Sequence, residues 1–422
     1  MVRKTIAGAL PDEWKGTLIK NICRVVRGSS PRPAGSPLFF DGNFLPWATV
    51  ADLTNSDDMY LTSTKSMLTE AGAERTRITD PGTLMLTNSG ATLGVPKISS
   101  IRCGANDGIA MLLELDGIVT EYAYYYLASK TQYFRDVIAP GVGQPNLNTD
   151  LIGDFPIPIP PLAEQKKIVQ ILSTWDKAIA TTEQLLINSQ QQKKSLMQQM
   201  LIGKRRFLKK NKDCTYKNTK YGKLPSDWDY VALKDICYQV SERNDSANDY
   251  PVLSCSKYDG FVDSLRYFKK KVYSDDTSGY RVIPFGAFGF PSNHIEEGSI
   301  GLQTLYDFGL VSPIYVVFRV NDKKVNSEYL YALLKTEHYR QIFSAATNAS
   351  VDRRGSLRWK EFSIIHVPLP PSEEQDRIAL TIKVANSEIA AIQKKLEYLK
   401  QEKKALMQQL LTGKRRVKVD AE

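Results

Sequence analysis

Two long stretches of the chain place mostly apolar residues at alternating steps of four and three. The first set is Ile168, Leu172, Trp175, Ile179, Thr182, Leu186, Ser189, Lys193, Leu196 and Met200. The second set is Ile378, Ile382, Ala385, Ile389, Ile392, Leu396, Leu399, Lys403, Leu406 and Leu410. This spacing predicts two long α-helices that pair as a coiled coil, each seam about 48 Å long. Two amphipathic helices that belong to a globular core are the alternative.

Motifs at both ends of these predicted helices show that the chain contains an internal duplication. The segment Pro160–Ile168 (PPLAEQKKI) returns as Pro370–Ile378 (PPSEEQDRI), and Leu196–Arg206 (LMQQMLIGKRR) returns as Leu406–Arg416 (LMQQLLTGKRR). The offset is 210 residues in both cases (370 minus 160, and 406 minus 196). The helical stretch therefore has one length in both copies, which favours a spacer whose dimension matters.

The remaining parts of the two halves repeat more loosely. Leu10–Trp14 matches Leu224–Trp228 at an offset of 214, whereas Thr120–Tyr124 matches Ser327–Tyr331 at an offset of 207. Insertions and deletions therefore collect in two globular parts, and the predicted fold class is α+β, with two pseudo-repeated α/β domains and two long antiparallel helices. The predicted domains are head 1 (residues 1–154), a first helical region (155–212), head 2 (213–362) and a second helical region (363–422).

Each head is predicted to mix strands and helices. Helices are expected at Thr120–Val137 and Ser327–Phe343, each with a hydroxyl N-cap followed by an acid in the first turn. Their tyrosines Tyr122, Tyr126 and Tyr329 lie at core-facing spacings, which favours packing over base stacking. Strands or extended segments are predicted at Thr83–Thr87, Met111–Leu115, Phe155–Pro161, Arg281–Ile283, Ile314–Val320 and Ile365–Pro371.

Charged residues occur at special positions of both long helices. Each helix ends in Gly-Lys-Arg-Arg, in which Gly203 or Gly413 predicts a left-handed cap and the cations complement the helix dipole. A contact of these cations with phosphate or with a partner protein is the alternative. Lys193 and Lys403 fall at equivalent seam positions, where they either fix the register or extend to solvent.

The composition favours a globular protein with a polyanionic partner. Lys plus Arg number 56 against 46 Asp plus Glu, a net charge of +10, and such an excess attracts phosphates. Apolar runs such as Ile314–Phe318 are far shorter than a membrane span, and Pro11 interrupts the N-terminal stretch before a signal-peptide core develops. The five cysteines form no Cys-x-x-Cys pair, so Cys23 and Cys237 are expected to be core thiols in a reducing cytoplasm.

Several loops carry side chains suited to DNA. Arg pairs with guanine and Asn or Gln with adenine, while lysines and small hydroxyls hold phosphates. An ordinary solvated turn is the alternative for each loop. The DNA-contact candidates are Arg27, Ser29, Arg32, Asn88, Ser89, Thr92, Gln144, Asn146, Asn148, Lys257, Tyr258, Asn293, His294, Arg353 and Arg354. The candidates for helix pairing and partner docking are Ile168, Leu172, Trp175, Ile179, Leu186, Leu196, Ile378, Ile382, Ile389, Ile392, Leu396, Leu399 and Leu406.

Signatures of catalysis are absent from the sequence. It contains neither the Asn/Asp-Pro-Pro-aromatic motif of adenine methyltransferases nor Gly-x-x-x-x-Gly-Lys-Ser/Thr. Pro11–Lys15 (PDEWK) looks like a nuclease carboxylate–lysine cluster, but its duplicate Pro225–Asp229 (PSDWD) lacks the first acid and the lysine. No two of the three histidines have the spacing of metal ligands. We expect a chain with no chemistry, metal or cofactor of its own.

Taken together, these features resemble the specificity subunit of type I restriction-modification systems. The resemblance covers nearly the whole chain and rests on motifs that recur in order in both halves: the Pro-Pro-x-x-Glu-Gln motifs, the Gly-Lys-Arg-Arg helix ends and the Leu-Pro-x-x-Trp openings. Family-like phrases inside the heads are Pro46–Leu53, Ser89–Gly94, Gln144–Leu147 and Gly309–Pro313.

The resemblance implies two target recognition domains, each of which reads one half of an asymmetric, split DNA target, while the helix pair sets the unread spacer. It also implies two modification subunits that dock on the helical regions, carry S-adenosylmethionine and methylate adenine N6. Restriction subunits join where present. Head 2 carries Arg353–Leu357 (RRGSL) where head 1 has Gln-Pro-Asn-Leu, which favours a different half-site for head 2 and argues against a transfer of contact residues between the heads. A coiled-coil scaffold that binds no DNA is the alternative function.

Overall fold

The computed structural model describes residues 2–138, 146–207, 215–220, 222–245, 248–348 and 355–419. The chain divides into two compact units of mixed strands and helices, which confirms the predicted α+β class. Unit 1 comprises Met1–Gln184 and Lys394–Glu422, and unit 2 comprises Leu185–Gln393. Each unit therefore combines one head with a piece of both long helices. The four-part division made from the sequence stays a prediction.

Unit 1 contains the elements of head 1. Its strands are β1 (Val2–Thr5), β2 (Gly8–Pro11), β3 (Lys15–Leu18), β4 (Arg24–Arg27), β5 (Phe40–Ala48), β6 (Tyr60–Leu61), β7 (Ser66–Leu68), β8 (Arg77–Thr79), β9 (Leu84–Thr87), β10 (Pro96–Ser99), β11 (Cys103–Ala105), β12 (Ile109–Leu113) and β13 (Pro156–Ile159). The helices are α1 (Val50–Thr54), α2 (Glu70–Ala73), α3 (Thr120–Tyr133), α4 (Thr149–Gly153) and the start of the long α5 (Leu162–Leu201). Strands β4-β12-β9-β10-β6 form one sheet, β7-β5-β11-β8 a second, and β13 pairs with β3.

Unit 2 contains the elements of head 2. Its strands are β14 (Tyr216–Thr219), β15 (Gly222–Pro225), β16 (Asp229–Ala232), β17 (Cys237–Val240), β18 (Leu253–Ser256), β19 (Gly260–Asp263), β20 (Arg281–Pro284), β21 (Phe288–Pro291), β22 (Gly301–Leu302), β23 (Phe308–Val311), β24 (Tyr315–Val320) and β25 (His366–Leu369). The helices are α6 (Ser264–Phe268), α7 (Ser327–Leu334), α8 (Glu337–Asn348), α9 (Trp359–Phe362) and the start of the long α10 (Ser372–Leu410). Strands β17-β24-β21-β22 form a sheet, and β16 pairs with β25.

The ends of both long helices belong to the hydrophobic cores of the units. In unit 1, Leu172 of α5 and Leu410 of α10 are buried in the cluster that contains Tyr122 of α3. In unit 2, Met200 of α5 and Ile378 of α10 are buried in the main core. The interpretation of these helices as parts of globular cores is therefore right for their ends.

Between those ends, burial along the helices follows the predicted seam. Ile179, Leu186, Ile392, Leu396 and Leu399 are all half-buried. The off-seam residues Leu185, Ile187 and Tyr398 are each more than half exposed. A half-buried stripe beside exposed positions is the burial pattern of a paired amphipathic helix.

The helices run antiparallel where ion pairs join them. In unit 1, Lys400 of α10 lies 2.7 Å from Glu183 of α5, and Lys403, one turn further along α10, pairs with Asp176, two turns earlier in α5. Residue numbers rise along one helix as they fall along the other, which confirms the predicted direction.

Some local predictions are wrong. The helix expected at Ser327–Phe343 is two helices, α7 and α8, because Thr336 interrupts the first and its hydroxyl accepts the Tyr339 N–H at 3.4 Å. The hydroxyl N-caps are also misplaced by one residue. Asn326 caps α7 through its side chain, and Val119 precedes α3 without a side-chain cap.

The predicted packing residues are confirmed. Tyr122, Tyr126 and Tyr329 are at most 5% exposed, and the thiols of Cys23 and Cys237 are buried. In the described part of the chain, no helix is both long and apolar enough to cross a membrane.

Candidate nucleic-acid interface

The carboxylate of Glu374 joins three parts of unit 2. It accepts hydrogen bonds from Arg206 Nε and Nη2 at 2.7 Å each and from Trp228 Nε1 at 3.1 Å. Arg206 also makes a bidentate pair with Asp227, at 3.0 and 2.9 Å. Burial by itself lowers the pKa of Arg206, but the hydrogen bonds to Glu374 and Asp227 outweigh burial and raise the pKa above its usual value. The end of α5, the opening of head 2 and the start of α10 are thereby fixed together.

Glu164 has the same role in unit 1, with a more exposed cation. It accepts hydrogen bonds from Trp14 Nε1 at 3.3 Å and from Arg416 Nε at 2.8 Å. The Arg416 side chain is 39% exposed, whereas that of Arg206 is fully buried. The last arginine of each Gly-Lys-Arg-Arg end therefore binds a carboxylate of its own chain.

Each of these helix ends turns on a glycine, as predicted. Gly203 and Gly413 both have a φ of +70°. A Cβ on Gly203 would lie 2.4 Å from Pro225 Cγ, and one on Gly413 would lie 2.5 Å from Pro11 Cδ. Glycine is required here by the backbone conformation and by the close approach of the Leu-Pro-x-x-Trp opening.

The glutamine that follows each glutamate holds the start of a head helix. Gln165 Oε1 accepts the Val119 N–H at 2.7 Å, and Gln375 Oε1 accepts the Asn326 N–H at 2.8 Å. Each Nε2 also donates to a carbonyl of the preceding proline-rich segment, at 2.9 and 2.8 Å. Sequence reasoning used the Glu-Gln pairs only as a repeated motif and missed this anchoring role.

In head 1, the candidates Arg27 and Arg32 come together at Asp107. Arg27 Nε donates to the Asp107 carbonyl at 2.5 Å, and Arg32 Nη2 lies 3.4 Å from its carboxylate. A hydrogen bond from Ser30 is the main reason that the pKa of Asp107 is lowered, so this acid stays ionised beside two exposed arginines. Ser29 is half-buried, and its main chain bonds Ala105 at 2.9 Å. The site offers two adjacent cations to an incoming phosphate or base edge.

A second group of head 1 candidates lies on two loops that meet. Ser89 and Asn146 form an isolated antiparallel bridge. Thr92 and Asn146 are exposed, and Ser89 is half-exposed. The two loops thus expose polar side chains close together, although Asn146 lies more than fifty positions beyond Ser89 and Thr92 in the chain.

The structure gives two of the predicted asparagine contacts of head 1 a local environment of their own. Asn88 is only 1% exposed, so its side chain lies in the core and does not reach a base. Asn148 is exposed, but its Oδ1 accepts the Leu151 N–H at 2.8 Å and caps α4. An amide side chain serves packing and capping as well as base reading, and its spacing in sequence does not separate these roles.

In head 2, Lys257, Asn293 and His294 line a cavity of about 500 Å³. Asn293 Oδ1 is buried and has no hydrogen-bond partner among the described residues. Beside the cavity, Tyr258 is 82% exposed and its ring centre lies 5.4 Å from Lys257 Nζ. The four candidates thus lie close together, and Lys257, Tyr258 and His294 are exposed.

Three candidates, Gln144, Arg353 and Arg354, lie outside the described residues. Their contacts with DNA stay predictions.

Within the described chain, one group could hold a metal ion: His294, Glu296 and Glu297 bring potential ligand atoms within 4.8 Å of one another. His294 Nδ1 is already bonded to Glu297 at 3.1 Å.

Sequence reasoning missed a second cationic and aromatic surface of head 2, which we call the α6 surface (residues 265–271). Tyr267 donates a hydrogen bond to Asp259 at 3.2 Å, and this bond places the α6 surface next to the Lys257–Tyr258 loop. The interleaving of aromatic and basic residues was the available signal. The exposed members are Leu265, Arg266, Tyr267, Phe268, Lys269, Lys270 and Lys271.

Two heads with different exposed loops, each fixed by the same anchors to a pair of long helices, define a class of duplicated nucleic-acid recognition proteins. The family model described as "Type I restriction modification DNA specificity domain" matches residues 11–189 and again residues 225–401. The chain therefore belongs to the family of type I restriction-modification specificity subunits, with two copies of the domain. Members of this family confer specificity and are not the catalytic subunits.

Relatives and solved structures agree with this assignment over nearly the full length. The specificity subunit of the type I restriction enzyme MjaIX from Methanocaldococcus jannaschii is 24% identical over 98% of this chain and 96% of its own length. The crystal structure of the type I S subunit from M. genitalium has a TM-score of 0.54 at 14% identity and covers 97% of this chain and 99% of its own. A structure from a study of complex assembly in the type I system has a TM-score of 0.58 at 16% identity, with 96% and 99% covered.

Proposed function

We propose that the chain binds an asymmetric, bipartite DNA target and that each head reads one half-site. One observation carries this proposal: the same set of hydrogen-bonded anchor residues holds both heads on the long helices, whereas the exposed loops of the two heads differ. Both units use a Glu-Gln pair, a tryptophan and a terminal arginine in the same way. The loops meanwhile expose two arginines at Asp107 in head 1 and a lysine–aromatic group in head 2.

The proposed DNA contacts follow from exposure and charge. In head 1 they are Arg27, Arg32, Ser89, Thr92 and Asn146, with Ser29 and Gln144 as predicted neighbours. In head 2 they are Lys257, Tyr258, Asn293, His294 and the α6 surface, with Arg353 and Arg354 predicted to join them. The guanidinium groups of arginine and the side-chain amides of Asn and Gln are suited to base contacts, while lysines are suited to phosphate contacts that do not depend on sequence.

The partners are proposed to be two modification subunits that dock on the helical regions. These subunits would carry S-adenosylmethionine and methylate adenine N6 in the cytoplasm, and restriction subunits would join where present. The support is that the long helices expose large apolar side chains outside their seam. These are Leu185, Ile187, Leu380, Val384 and Tyr398, each at least 49% exposed. Exposed apolar groups along a helix are suited to burial by partner helices.

Methylation mapping tests the target directly. Long-read sequencing of a host that carries this chain and its modification subunit should show N6-methyladenine in a split, non-palindromic motif, and the motif should disappear when the gene is deleted. A single continuous palindrome contradicts the proposal. So does the absence of any motif when the modification subunit is present.

The spacer function has its own test. Insertion of one whole helical repeat between residues 168 and 200 should lengthen the unread gap of the methylated motif without change to either half-site. An unchanged gap would show that the helices do not set the distance. Failure of the assembled complex to bind duplex DNA at low salt would favour a scaffold that binds no DNA, because phosphate contacts predict steep salt dependence.

A further inference from the structure

One carboxylate in unit 1 contacts the head and both long helices. Tyr125 Oη of α3 donates a hydrogen bond to Asp176 Oδ2 of α5 at 2.6 Å. Lys403 Nζ of α10 forms an ion pair with Asp176 Oδ1 and lies 5.5 Å from the centre of the Tyr125 ring. Asp176 is therefore the meeting point of three elements.

The contact is shielded enough to be specific. Tyr125 is fully buried, and the side chains of Lys403 and Asp176 are 21% and 39% exposed. Burial and then the hydrogen bond to Asp176 raise the pKa of Tyr125 far above its usual range, so its hydroxyl remains a donor. Lys403 occupies a seam position, where a charge is tolerated only if a partner meets it in the correct register.

The equivalent place in unit 2 lacks this arrangement. The helical offset of 210 pairs Asp176 with Asn386 and Lys403 with Lys193, and the offset of 207 in this part of the heads pairs Tyr125 with Ala332. The carboxylate and the hydroxyl are both missing. Burial lowers the pKa of Lys193, and a cavity of about 670 Å³, also lined by Lys335 and Glu337 of head 2, opens beside it.

We propose that Asp176 is a positioning residue that fixes head 1 on the two helices and thereby sets where the first half-site begins. This inference rests on the proposed function. Asp176 can satisfy Tyr125 and Lys403 together in only one register of α5 against α10 and one placement of α3. A shift of any of the three elements leaves a half-buried lysine without its partner. In unit 2 the position equivalent to Asp176 is the uncharged Asn386, so Asp176 acts on one half-site only.

The test compares DNA targets that differ only in spacer length. The complex assembled with its modification subunit is given duplexes with the native spacer and with one base pair added or removed, and the initial methylation rate of each is measured. In Asp176→Asn, the preference for the native spacer should fall about fivefold or more, the size of an ordinary coupling between sites. Lys403→Met should behave in the same way, and Lys403→Arg should retain the preference because it keeps the ion pair.

Lys193→Met is the matched control at the equivalent seam position. It should leave the spacer preference unchanged. The inference is overturned if Asp176→Asn slows methylation of all spacers by one factor, or lowers only the thermal unfolding midpoint, since a purely structural contact has these effects. It is also overturned if Lys193→Met relaxes the preference equally. If the proposed bipartite recognition is itself wrong, the wild-type complex will show no spacer preference. That result differs from every outcome that concerns Asp176 alone.

Discussion

Arg206 and Glu374 are 168 positions apart in the chain, yet their fully buried side chains form two hydrogen bonds of 2.7 Å. Arg416 and Glu164 make the corresponding pair in unit 1 across 252 positions. In each unit, a cation just beyond the end of one long helix reaches the first turn of the other. The hydrophobic core of each head is therefore completed by residues from both helical regions.

Loss of the carboxylate in these pairs should destabilise the two units unequally. Glu374→Gln leaves Arg206 buried with only part of its charge matched, and breaking a buried ion pair costs about 3–5 kcal/mol. Glu164→Gln should cost less, because the Arg416 side chain is 39% exposed and water replaces part of the contact. Urea unfolding of the purified chain measures both. If both variants lose the same free energy of unfolding, burial of the arginine does not determine the cost of removing its carboxylate partner.

The helix-terminal glycine Gly203 should not tolerate a side chain. Gly203→Ala places a Cβ 2.4 Å from Pro225 at a φ of +70°, and the backbone strain alone costs about 1–3 kcal/mol. Gly82→Ala has a similar φ of +88° with open space around it, so it measures the strain without the clash. Gly279→Ala, with open space and no positive φ, should be neutral. The thermal unfolding midpoint should fall most in Gly203→Ala, less in Gly82→Ala and not at all in Gly279→Ala. If Gly203→Ala lowers the midpoint no more than Gly82→Ala does, the close approach of Pro225 to Gly203 is contradicted.

The buried thiols should make stability fall at high pH. Burial raises the pKa of Cys23 to about 11 and of Cys237 to about 12. The raised pKa values mean that the neutral thiols favour the folded state fully below the ordinary value of about 9. This contribution is lost as the pH rises from about 9 towards 11 and 12. Denaturation midpoints measured from pH 7 to 11 in the wild type and in a Cys23→Ala/Cys237→Ala variant should converge above pH 9.

The same burial predicts slow alkylation. At pH 8, the thiolate fraction of Cys23 is about 100-fold lower than in the unfolded chain, because its pKa is about two units higher. Mass spectrometry after iodoacetamide treatment should show both thiols protected in the native protein and modified in urea. Rapid modification of the native protein would contradict their place in the core.

The α6 surface should contribute phosphate contacts to DNA binding. Lys269→Ala/Lys270→Ala in the assembled complex should lower the slope of log affinity against log salt by about 0.9 for each lost contact. The methylated sequence should not change, since phosphate contacts carry no base information. Lys323→Ala is the control, because Lys323 is an equally exposed lysine of head 2 in the turn after β24. If all three lysines have the same effect, the α6 surface has no special part in binding.

Local pattern was sufficient for much of the fold. The alternating four–three spacing predicted α5, α10 and their common register. The apolar runs predicted strands β9, β20 and β24, and each predicted first residue lies within one position of the observed one. The glycine caps at Gly203 and Gly413 were also predictable. These features depend on residues within a few turns of one another, so the chain encodes them directly.

What the sequence by itself determined is the duplication, the long helices, the absence of catalytic motifs and the family. Only the tertiary structure decided which polar residues are buried anchors and which are exposed. Asn88 and Asn146 have the same side chain in neighbouring loops, but one is buried and the other exposed. Glu374, Gln375 and Arg206 are fixed by partners far away in the chain. The free energy of a polar group depends on its burial and its partners, and both are set by long-range packing that no local pattern contains.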